Sequence, residues 1–456
     1  MPARPLSTIF ALSSGRLPAA IAVVRISGPQ AGAALKKLSG RLPEPRKAAL
    51  ARVRDPASGE VIDEALALWF PAPASETGED VAELQLHGGQ AVVAGVLDAL
   101  GKIKSCRLAE AGEFTRRAFE NGKLDLTEVE GLADLIAAQT QAQRRQAFRQ
   151  LKGLIGERAA DWRRRLIDVL ALVEARIDFS DEADVPENLV EPALAAARVL
   201  REEIAACLAG AGRGERLREG LIVAIAGPPN AGKSTLLNRL ARREAAIVSP
   251  YPGTTRDVIE VHLDLAGYPV MLLDTAGVRI SGDPVEQEGV RRARERAAAA
   301  DLILWVTDAS AAGGAVADGP GAPSGAELWS IWNKADLVLS PAASSESEGK
   351  KWVNRSLTIS AATGDGIGAL EAALARYAED FFAATESALV TRARHRRALE
   401  ETLAALDRAL GLGESGSEEL IAEELRIAAT ALGRLTGRVD VEDILDVIFR
   451  DFCIGK

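Results

Sequence analysis

Short apolar runs separated by glycine, proline and polar residues dominate the start of the chain. Two compact runs, residues 21–26 and 65–70, are bounded by turn residues, and residues 81–86 alternate apolar and polar positions with period two. Such runs are typical of β-strands. From residue 91 to residue 100 the apolar spacing becomes helical. The pattern predicts an N-terminal α+β domain over residues 1–123.

The pattern changes at Thr127, after which apolar residues recur at the spacing of an amphipathic helix. Thr127 and Glu130 have the spacing of a capping box. Helical patterning continues, gives way to alternating strands and helices, and then resumes. We therefore expect an all-α domain in two pieces, 124–216 and 380–456, with an α/β domain inserted at 217–379. Because each helical piece has an apolar face to cover, the two pieces are expected to form one bundle.

The composition is that of a multidomain globular protein without a large positive field. The chain has 456 residues, of which 47% are apolar, and its 65 acidic and 55 basic residues give a net charge of -10. A general electrostatic attraction to nucleic acid is excluded, so any such contact needs a local basic patch. The run 392–397 is the strongest basic cluster. Two interpretations of it stay open, contact with an RNA backbone and a solvated helix face.

Cysteine use and hydropathy indicate a cytoplasmic protein. Cys106, Cys207 and Cys453 lie far apart and form no C-x-x-C pair, so no disulfide framework is expected. The chain has no apolar run of about 18 residues, the length that a membrane span needs. We expect no membrane-spanning segment.

A phosphate-binding loop follows the apolar strand at residues 221–226. Residues 227–234 read Gly-Pro-Pro-Asn-Ala-Gly-Lys-Ser, which matches G-x-x-x-x-G-K-[ST] between a strand and a helix. Backbone N–H groups of such a loop surround phosphates, the Lys233 ammonium reaches the β- and γ-phosphates, and the Ser234 hydroxyl ligates Mg²⁺. The predicted contacts are Asn230, Ala231, Gly232, Lys233, Ser234 and Thr235.

Three further strand ends complete the pattern of a GTPase. Residues 274–277 read Asp-Thr-Ala-Gly, where an Asp can hold the Mg²⁺ shell and a glycine N–H can sense the γ-phosphate. Residues 333–336 read Asn-Lys-Ala-Asp, where a carboxylate can accept N1–H and N2–H of guanine and so reject adenine. Ser360 and Ala361 can contact guanine O6 through backbone N–H groups. The predicted contacts are Asp274, Thr275, Ala276, Gly277, Asn333, Lys334, Asp336, Ser360 and Ala361.

The residue that orients the attacking water is not given by the local motifs. Val278 occupies the place of the water-positioning glutamine of Ras-type enzymes and cannot hydrogen bond. The carboxylates available nearby are Asp283, Glu286 and Glu288. No arginine finger is identifiable, and a monovalent cation held by Asn230 and backbone carbonyls is one alternative source of positive charge. Arg256 and Arg279 stay open as others.

The inserted segment resembles the translation-factor-like GTPases, and its residues 253–257, Gly-Thr-Thr-Arg-Asp, sit where their first switch sits. By that resemblance the Thr255 hydroxyl closes over Mg²⁺. The whole chain resembles the MnmE (TrmE) family of tRNA modification GTPases. Its most specific match is the C-terminal Phe-Cys-Ile-Gly-Lys, residues 452–456. Other matches are Thr77-Gly78-Glu79-Asp80, Leu86-His87-Gly88-Gly89, Gly112-Glu113-Phe114 and Lys123-Leu124-Asp125-Leu126.

This resemblance implies a specific reaction. With a flavin-dependent partner, MnmG, in a heterotetramer, the protein would add an aminomethyl-type group (carboxymethylaminomethyl or aminomethyl) to C5 of the wobble uridine of certain tRNAs. A tetrahydrofolate derivative, in the 5-formyl or 5,10-methylene form, would donate the carbon. The folate would contact Arg25, Glu83, Lys123 and Lys456, and Cys453 would lie near the modification site. The alternative function is that of a regulatory GTPase of ribosome assembly.

The resemblance also implies how GTP is hydrolysed. The N-terminal domain would form a constitutive homodimer, and the GTPase domains would dimerise in the presence of K⁺. The K⁺ ligands would be Asn230, Ser249, Tyr251 and Thr254, and Glu286 would orient the water. Mg²⁺ would be held by Thr255 and Ser234. The loop residues expected to contact GTP are Ser249, Pro250, Tyr251, Pro252, Gly253, Thr254 and Thr255.

Overall fold

The computed structural model shows two compact units, each with its own mixed sheet. One unit comprises residues 1–133, 150–198 and 404–456, and the other comprises residues 134–149 and 199–403. The structure describes residues 7–178, 188–242, 260–274, 300–310, 326–338, 355–383, 388–413, 418–439, 445, 448–450, 452 and 454–455. None of the described helices is long and apolar enough to cross a membrane.

The first unit opens with a six-stranded sheet in the order β3-β4-β5-β2-β1-β6. All neighbouring strands are antiparallel except β1 and β6, which are parallel. The strands are β1 (Thr8–Leu12), β2 (Ala19–Ser27), β3 (Ala49–Arg54), β4 (Val61–Phe70), β5 (Val81–Gly88) and β6 (Cys106–Leu108). The strands predicted over 21–26, 65–70 and 81–86 are confirmed.

Two helices supply the core of this sheet. Helices α1 (Ala31–Ser39) and α2 (Gln90–Gly101) contact the strands, and α2 confirms the helix predicted over 91–100. Leu35 and Leu100 are fully buried in the core that these helices form with the sheet. Burial of such side chains contributes roughly 1.5–3 kcal/mol each.

The remaining helices before the second sheet begin at residue 113. They are α3 (Glu113–Glu120), α4 (Leu126–Ala137), α5 (Gln141–Leu151), α6 (Leu154–Asp178), α7 (Val190–Leu208) and α8 (Ala211–Glu219). After the second sheet come α11 (Ala393–Leu412) and α12 (Glu418–Thr436). Helix α6 packs against α12, and Arg426 forms an ion pair with Glu174 at 2.8 Å. The two helical flanks therefore pack together, as the sequence predicts.

The cap of α4 differs from the prediction. Asp125 Oδ1 accepts the backbone N–H of Glu128 at 2.9 Å, and Glu128 Oε2 accepts the backbone N–H of Asp125 at 2.7 Å. The capping box predicted at Thr127 and Glu130 is wrong, because the helix already begins at Leu126. Thr127 instead donates its hydroxyl to Asp125 Oδ1 at 2.7 Å. A pattern of period three and four does not fix the first residue of a helix.

The second unit contains a six-stranded sheet in the order β12-β11-β10-β7-β9-β8, parallel except for β8. The strands are β7 (Leu221–Ala226), β8 (Glu260–Leu265), β9 (Tyr268–Asp274), β10 (Leu302–Asp308), β11 (Glu327–Asn333) and β12 (Arg355–Thr358). Helices α9 (Lys233–Ala241) and α10 (Ile367–Phe382) and a 3₁₀ turn (Ala335–Leu337) complete it. The strands and helix predicted around the phosphate-binding loop are confirmed.

The sheet brings the predicted motifs to one edge. Strand β7 lies centrally, and the carboxyl ends of β7, β9, β10 and β11 point the same way because these strands are parallel. Ligands of open α/β sheets bind at this edge. The predicted domain boundaries stay predictions, and residues 134–149 and 199–216 lie in the unit of the second sheet.

Candidate functional site

The phosphate-binding loop joins β7 to α9 and contains two glycines at positions where a Cβ would clash. Gly227 has φ 142°, and a Cβ there would lie 2.1 Å from the carbonyl oxygen of Val306. Gly232 has φ 91°, and a Cβ there would lie 2.3 Å from Asn333 Nδ2. The close approach and the left-handed backbone both require glycine. These glycines let the loop curl against the sheet edge.

Lys233 is the first residue of α9, and its side chain contacts the start of this loop. Its side chain is buried, and Nζ donates to the carbonyl oxygens of Gly227 at 2.9 Å and Pro228 at 2.8 Å. Ser234 and Thr235 are exposed in the first turn of α9, which has no acidic residue. A buried ammonium and the positive end of a helix fit an anion. Asn230, at the loop tip, is exposed with φ 65°.

Asn333 links the three motifs of the described site. Its side chain is 2% exposed, Nδ2 donates to the carbonyl oxygen of Ala231 at 2.8 Å, and Oδ1 accepts the N–H of Ala361 at 2.9 Å. The phosphate-binding loop, the Asn-Lys-Ala-Asp segment and the Ser360-Ala361 segment are therefore held by one amide. The sequence predicts the residue, and the structure shows that both ends of its amide are used within the protein.

The two charged residues of Asn-Lys-Ala-Asp are both held by neighbours. The Ser360 hydroxyl donates to Asp336 Oδ1 at 2.5 Å, and the Asp336 side chain lies in an exposed position. Lys334 Nζ lies 2.6 Å from Asp308 Oδ2. Hydrogen bonds from Lys334 and Ser310 lower the pKa of Asp308 from 3.8 to about 2. An oriented, exposed carboxylate at Asp336 suits the paired N–H donors of guanine.

Asp308 is a site residue that the motifs do not contain. It ends β10 and pairs in register with Asn333, which ends β11. An Asp directly after an apolar parallel strand, at the same edge as the other motifs, is the signal that could have found it. Arg239 of α9 was also missed. Its Nη2 donates to the carbonyl oxygen of Ala362 at 2.9 Å, which ties α9 to the segment after Ser360.

Three of the four residues predicted to bind folate, Arg25, Glu83 and Lys123, lie in the described part of the first unit. Arg25 on β2 lies opposite Glu83 on β5, and Arg25 Nε donates to Glu83 Oε1 at 2.9 Å. Arg25 also pairs with Glu76 at 2.7 Å. Lys123 lies beside Gly78, where an added Cβ would be 3.3 Å from Lys123 Cε. The loop from Glu76 to Gly78 thus contacts both predicted cations.

The C-terminal segment is anchored at the same sheet. Ile454 forms a β-bridge with Ala111, and the Ser13 hydroxyl donates to the carbonyl oxygen of Gly455 at 2.7 Å. Leu12, the residue before Ser13, is paired with Val24, the residue before Arg25. The residue before Lys456 is therefore close to the strand that carries Arg25.

Several predicted residues lie outside the described part of the chain. For Asp274 the strand is described, but the side chain is not. The others are Ser249, Pro250, Tyr251, Pro252, Gly253, Thr254, Thr255, Thr275, Ala276, Gly277, Glu286, Cys453 and Lys456.

The basic run 392–397 is partly neutralised within the second unit. Arg392 pairs with Asp134 at 2.6 Å, and Arg396 pairs with Glu215 at 2.9 Å. His395, between them, is fully buried. These two arginines therefore stabilise packing within the protein.

Comparison with known proteins gives the family of the chain. A family model described as the MnmE helical domain matches residues 126–453, and one described as the GTP-binding protein TrmE N-terminus matches residues 8–123. A solved structure of an Aquifex aeolicus Era variant bound to GDP.AlF4- is 24% identical, covers 40% of this chain and 66% of that chain, and has a TM-score of 0.25.

Two curated relatives, each named "tRNA modification GTPase MnmE", match almost the full chain. The protein of Bradyrhizobium sp. (strain ORS 278) is 60% identical over 98% of this chain and 99% of its own length. The protein of Rhodopseudomonas palustris (strain BisB18) is also 60% identical, again over 98% of this chain and 99% of its own length. Because these relatives match almost the full chain and the two family models match residues 8–123 and 126–453, the chain belongs to the MnmE family.

Proposed function

We propose that this protein is a GTP hydrolase that acts in tRNA modification. The observation that carries the proposal is the meeting of Lys233, Asn333, Lys334 and Asp336 at one sheet edge, in a chain whose relatives are named tRNA modification GTPase. The exposed Asp336 carboxylate would accept N1–H and N2–H of guanine. ATP would leave that carboxylate unpaired and would be rejected.

The phosphate-binding loop and the start of α9 fit the phosphates of a nucleotide bound with Mg²⁺. Lys233 Nζ, held by two carbonyl oxygens, would exchange them for the β- and γ-phosphate oxygens and stabilise the charge that develops on the transferred phosphoryl group. Ser234 and Thr255 would hold Mg²⁺, which neutralises phosphate charge when bound. The absence of an acidic residue from the first turn of α9 supports the binding of phosphate there.

Hydrolysis would use Glu286 and a bound K⁺. Glu286 would orient the attacking water, a task that Val278 cannot perform. Asn230, with Ser249, Tyr251 and Thr254, would hold K⁺. The exposed position of Asn230 at the loop tip, where its backbone is left-handed, supports its availability to a cation. The assignment of the other ligands rests on the resemblance of the sequence to the family.

A folate would bind beside the Arg25–Glu83 pair, with Lys123 on the other side of the loop from Glu76 to Gly78. The Glu83 carboxylate, now paired with Arg25, can accept the amino and N–H donors of a pterin, and Arg25 and Lys123 can meet the carboxylates of the glutamate tail. The anchored Gly455 supports a position for Cys453 and Lys456 beside this cluster. The folate would supply the carbon that is transferred to the uridine.

Two protein partners complete the proposal. MnmG would supply the flavin chemistry, and the N-terminal domain would form the homodimer. Leu50 and Leu66 support the homodimer, because they lie directly opposite each other on β3 and β4 and both are exposed. Exposed apolar side chains that adjoin on a sheet are typical of an interface.

The experiment that tests the proposal is nucleoside mass spectrometry of tRNA from cells that lack this gene. Complementation with the wild-type chain should restore 5-substituted wobble uridines, and Glu286→Ala should not, because it would bind GTP without hydrolysing it. Glu379→Ala, an exposed glutamate on α10, is the matched control and should restore them. Modified uridines that persist without the gene would contradict the proposal and favour the ribosome-assembly GTPase.

A further inference from the structure

One exposed helix face carries positive charge that lies outside the proposed nucleotide and folate sites. Between residues 135 and 156 the chain has no acidic residue and four basic ones, Arg144, Arg145, Arg149 and Lys152. Three of the four lie on α5, and Arg144, Arg145 and Phe148 are exposed there. We call Arg144, Arg145, Phe148 and Arg149 the α5 basic face. We propose that this face binds the backbone of an unpaired tRNA segment and stacks one base on Phe148.

The opposite face of α5 is fixed within the second unit. The Ala142 N–H donates to the carbonyl oxygen of Gly267 at 3.0 Å, and Gln143 and Gln146 donate from Nε2 to the carbonyl oxygens of Arg218 and Gly214, each at 3.0 Å. Because one face is hydrogen-bonded and buried, Arg144 and Arg145 project from the other, and Arg149 lies partly exposed at the edge between the two faces. The geometry of the face is therefore set by the fold.

Two of the three arginines of the α5 basic face are not neutralised by a carboxylate in the part of the chain that the structure describes. Within the described ranges, Arg144 and Arg149 form no ion pair, and Arg144 Nε donates to the neutral Gln141 Oε1 at 3.0 Å. Asp134, the nearest preceding acid in sequence, pairs with Arg392. Arginines on other helices do have carboxylate partners, as Arg408 has in Glu424 at 2.8 Å. In a chain of net charge -10, such a patch attracts a polyanion locally.

The residue types favour RNA as that polyanion. Guanidinium groups bind phosphate in two-point contacts, and an aromatic ring stacks on an unpaired base. Phe148 is 46% exposed between arginines that precede and follow it in the helix. An acidic peptide would satisfy the arginines but has no base for the ring. The inference rests on the proposed function for its choice of RNA, and names the surface that the substrate would contact.

The test is a salt series of tRNA binding, measured by fluorescence anisotropy with labelled tRNA transcripts and full-length protein. The double variant Arg144→Ala, Arg149→Ala should bind at least about ten-fold more weakly, and the log–log salt slope should fall by about 2, one for each lost phosphate contact. Phe148→Ala should bind several-fold more weakly with the slope unchanged, because stacking releases no counterions. The control is the double variant Arg164→Ala, Arg426→Ala, which removes two exposed, ion-paired arginines.

GTP turnover, measured in parallel, should be the same in all these proteins. Failure of the proposed function would appear as unchanged wobble uridines in the gene deletion, which is a separate readout. An unchanged tRNA affinity and slope in the first double variant would overturn the inference, as would absence of tRNA binding by the wild type at low salt. Loss of affinity for poly-glutamate with unchanged tRNA affinity would assign the face to an acidic protein.

Discussion

At the scale of single residues, the Asp308 carboxylate holds the segment that presents Asp336. Asp308 accepts hydrogen bonds from the Lys334 ammonium at 2.6 Å and from Ser310, and it is the last residue of β10. Lys334 adopts a left-handed conformation with φ 64°, which is unusual for a residue with a side chain. The ion pair therefore helps to hold the backbone that presents Asp336.

We expect Asp308→Asn to weaken GDP and GTP binding by about three- to ten-fold, since an exposed charge-assisted bond contributes on the order of 1 kcal/mol. The Lys334 segment would lose its anchor while the Asp336 carboxylate remains. Isothermal titration calorimetry with GDP measures the change. Asp380→Asn, on an exposed position of α10, should bind GDP like the wild type. Equal affinity in both variants would show that Lys334 needs no anchor.

The lowered pKa of Asp308 predicts that its contribution to folding stability depends on pH. Because the pKa of Asp308 is lowered from 3.8 to about 2 in the fold, its contribution to stability is present above the unfolded pKa and is lost as pH falls toward 2. The stability difference between wild type and Asp308→Asn should be constant above about pH 4 and should shrink below it. Acid unfolding followed by tryptophan fluorescence measures this difference. A difference that grows on acidification would contradict the assigned sign.

At the scale of elements, the residue that caps the start of α4 also lies against helix α6. Asp125 caps the helix, and Gly156 of α6 packs closely against it, since a Cβ at Gly156 would lie 2.1 Å from Asp125 Oδ2. The cap therefore does two things, satisfying the Glu128 N–H and fixing where α6 approaches. The pKa of Glu128 is raised, mainly by burial.

Asp125→Ala should destabilise the first turn of α4 by about 1 kcal/mol, the usual loss for a cap. Amides of residues 127–130 should then exchange hydrogen about five-fold faster, as measured by mass spectrometry. Asp161→Ala, which removes an exposed partner of Arg164 on α6, should leave that exchange unchanged. Unaltered exchange in Asp125→Ala would mean that tertiary packing alone fixes the helix start.

At the scale of the whole molecule, the proposed nucleotide site and the proposed folate site lie in different units of one chain. The nucleotide motifs lie in the unit of residues 134–149 and 199–403, and Arg25, Glu83 and Gly455 lie in the other. Coupling between two such sites requires a conformational equilibrium that both ligands bias. The proposed K⁺-dependent dimerisation of the GTPase domains would supply that equilibrium.

GTP turnover should therefore be faster in K⁺ than in Na⁺ at equal ionic strength, by about ten-fold or more if the cation replaces an arginine finger. Steady-state phosphate release measures both rates. Asn230→Ala should lower the rate in K⁺ toward the rate in Na⁺, while Asn238→Ala, on an exposed position of α9, should not. Equal wild-type rates in the two salts would contradict the cation proposal.

The sequence by itself determined the features that depend on near neighbours. The apolar run of β7 and the glycines at 227 and 232 predict the strand, loop and helix of the phosphate site, because periodicity and turn chemistry act over a few residues. The order of the motifs predicts a GTPase, since parallel strands bring their ends to one edge. The predicted position of the α4 cap was wrong by two residues, because several polar residues there can serve as caps.

Only the tertiary structure decided which distant groups meet. The amide of Asn333 reaches Ala231 and Ala361, Arg25 pairs with Glu83, and Ser13 binds Gly455, 442 residues away. Such contacts depend on strand order, register and loop closure, which many sequences with the same local pattern could satisfy differently. The pairing of Asp308 with Lys334 has the same origin, because neither residue's neighbours in sequence indicate the other.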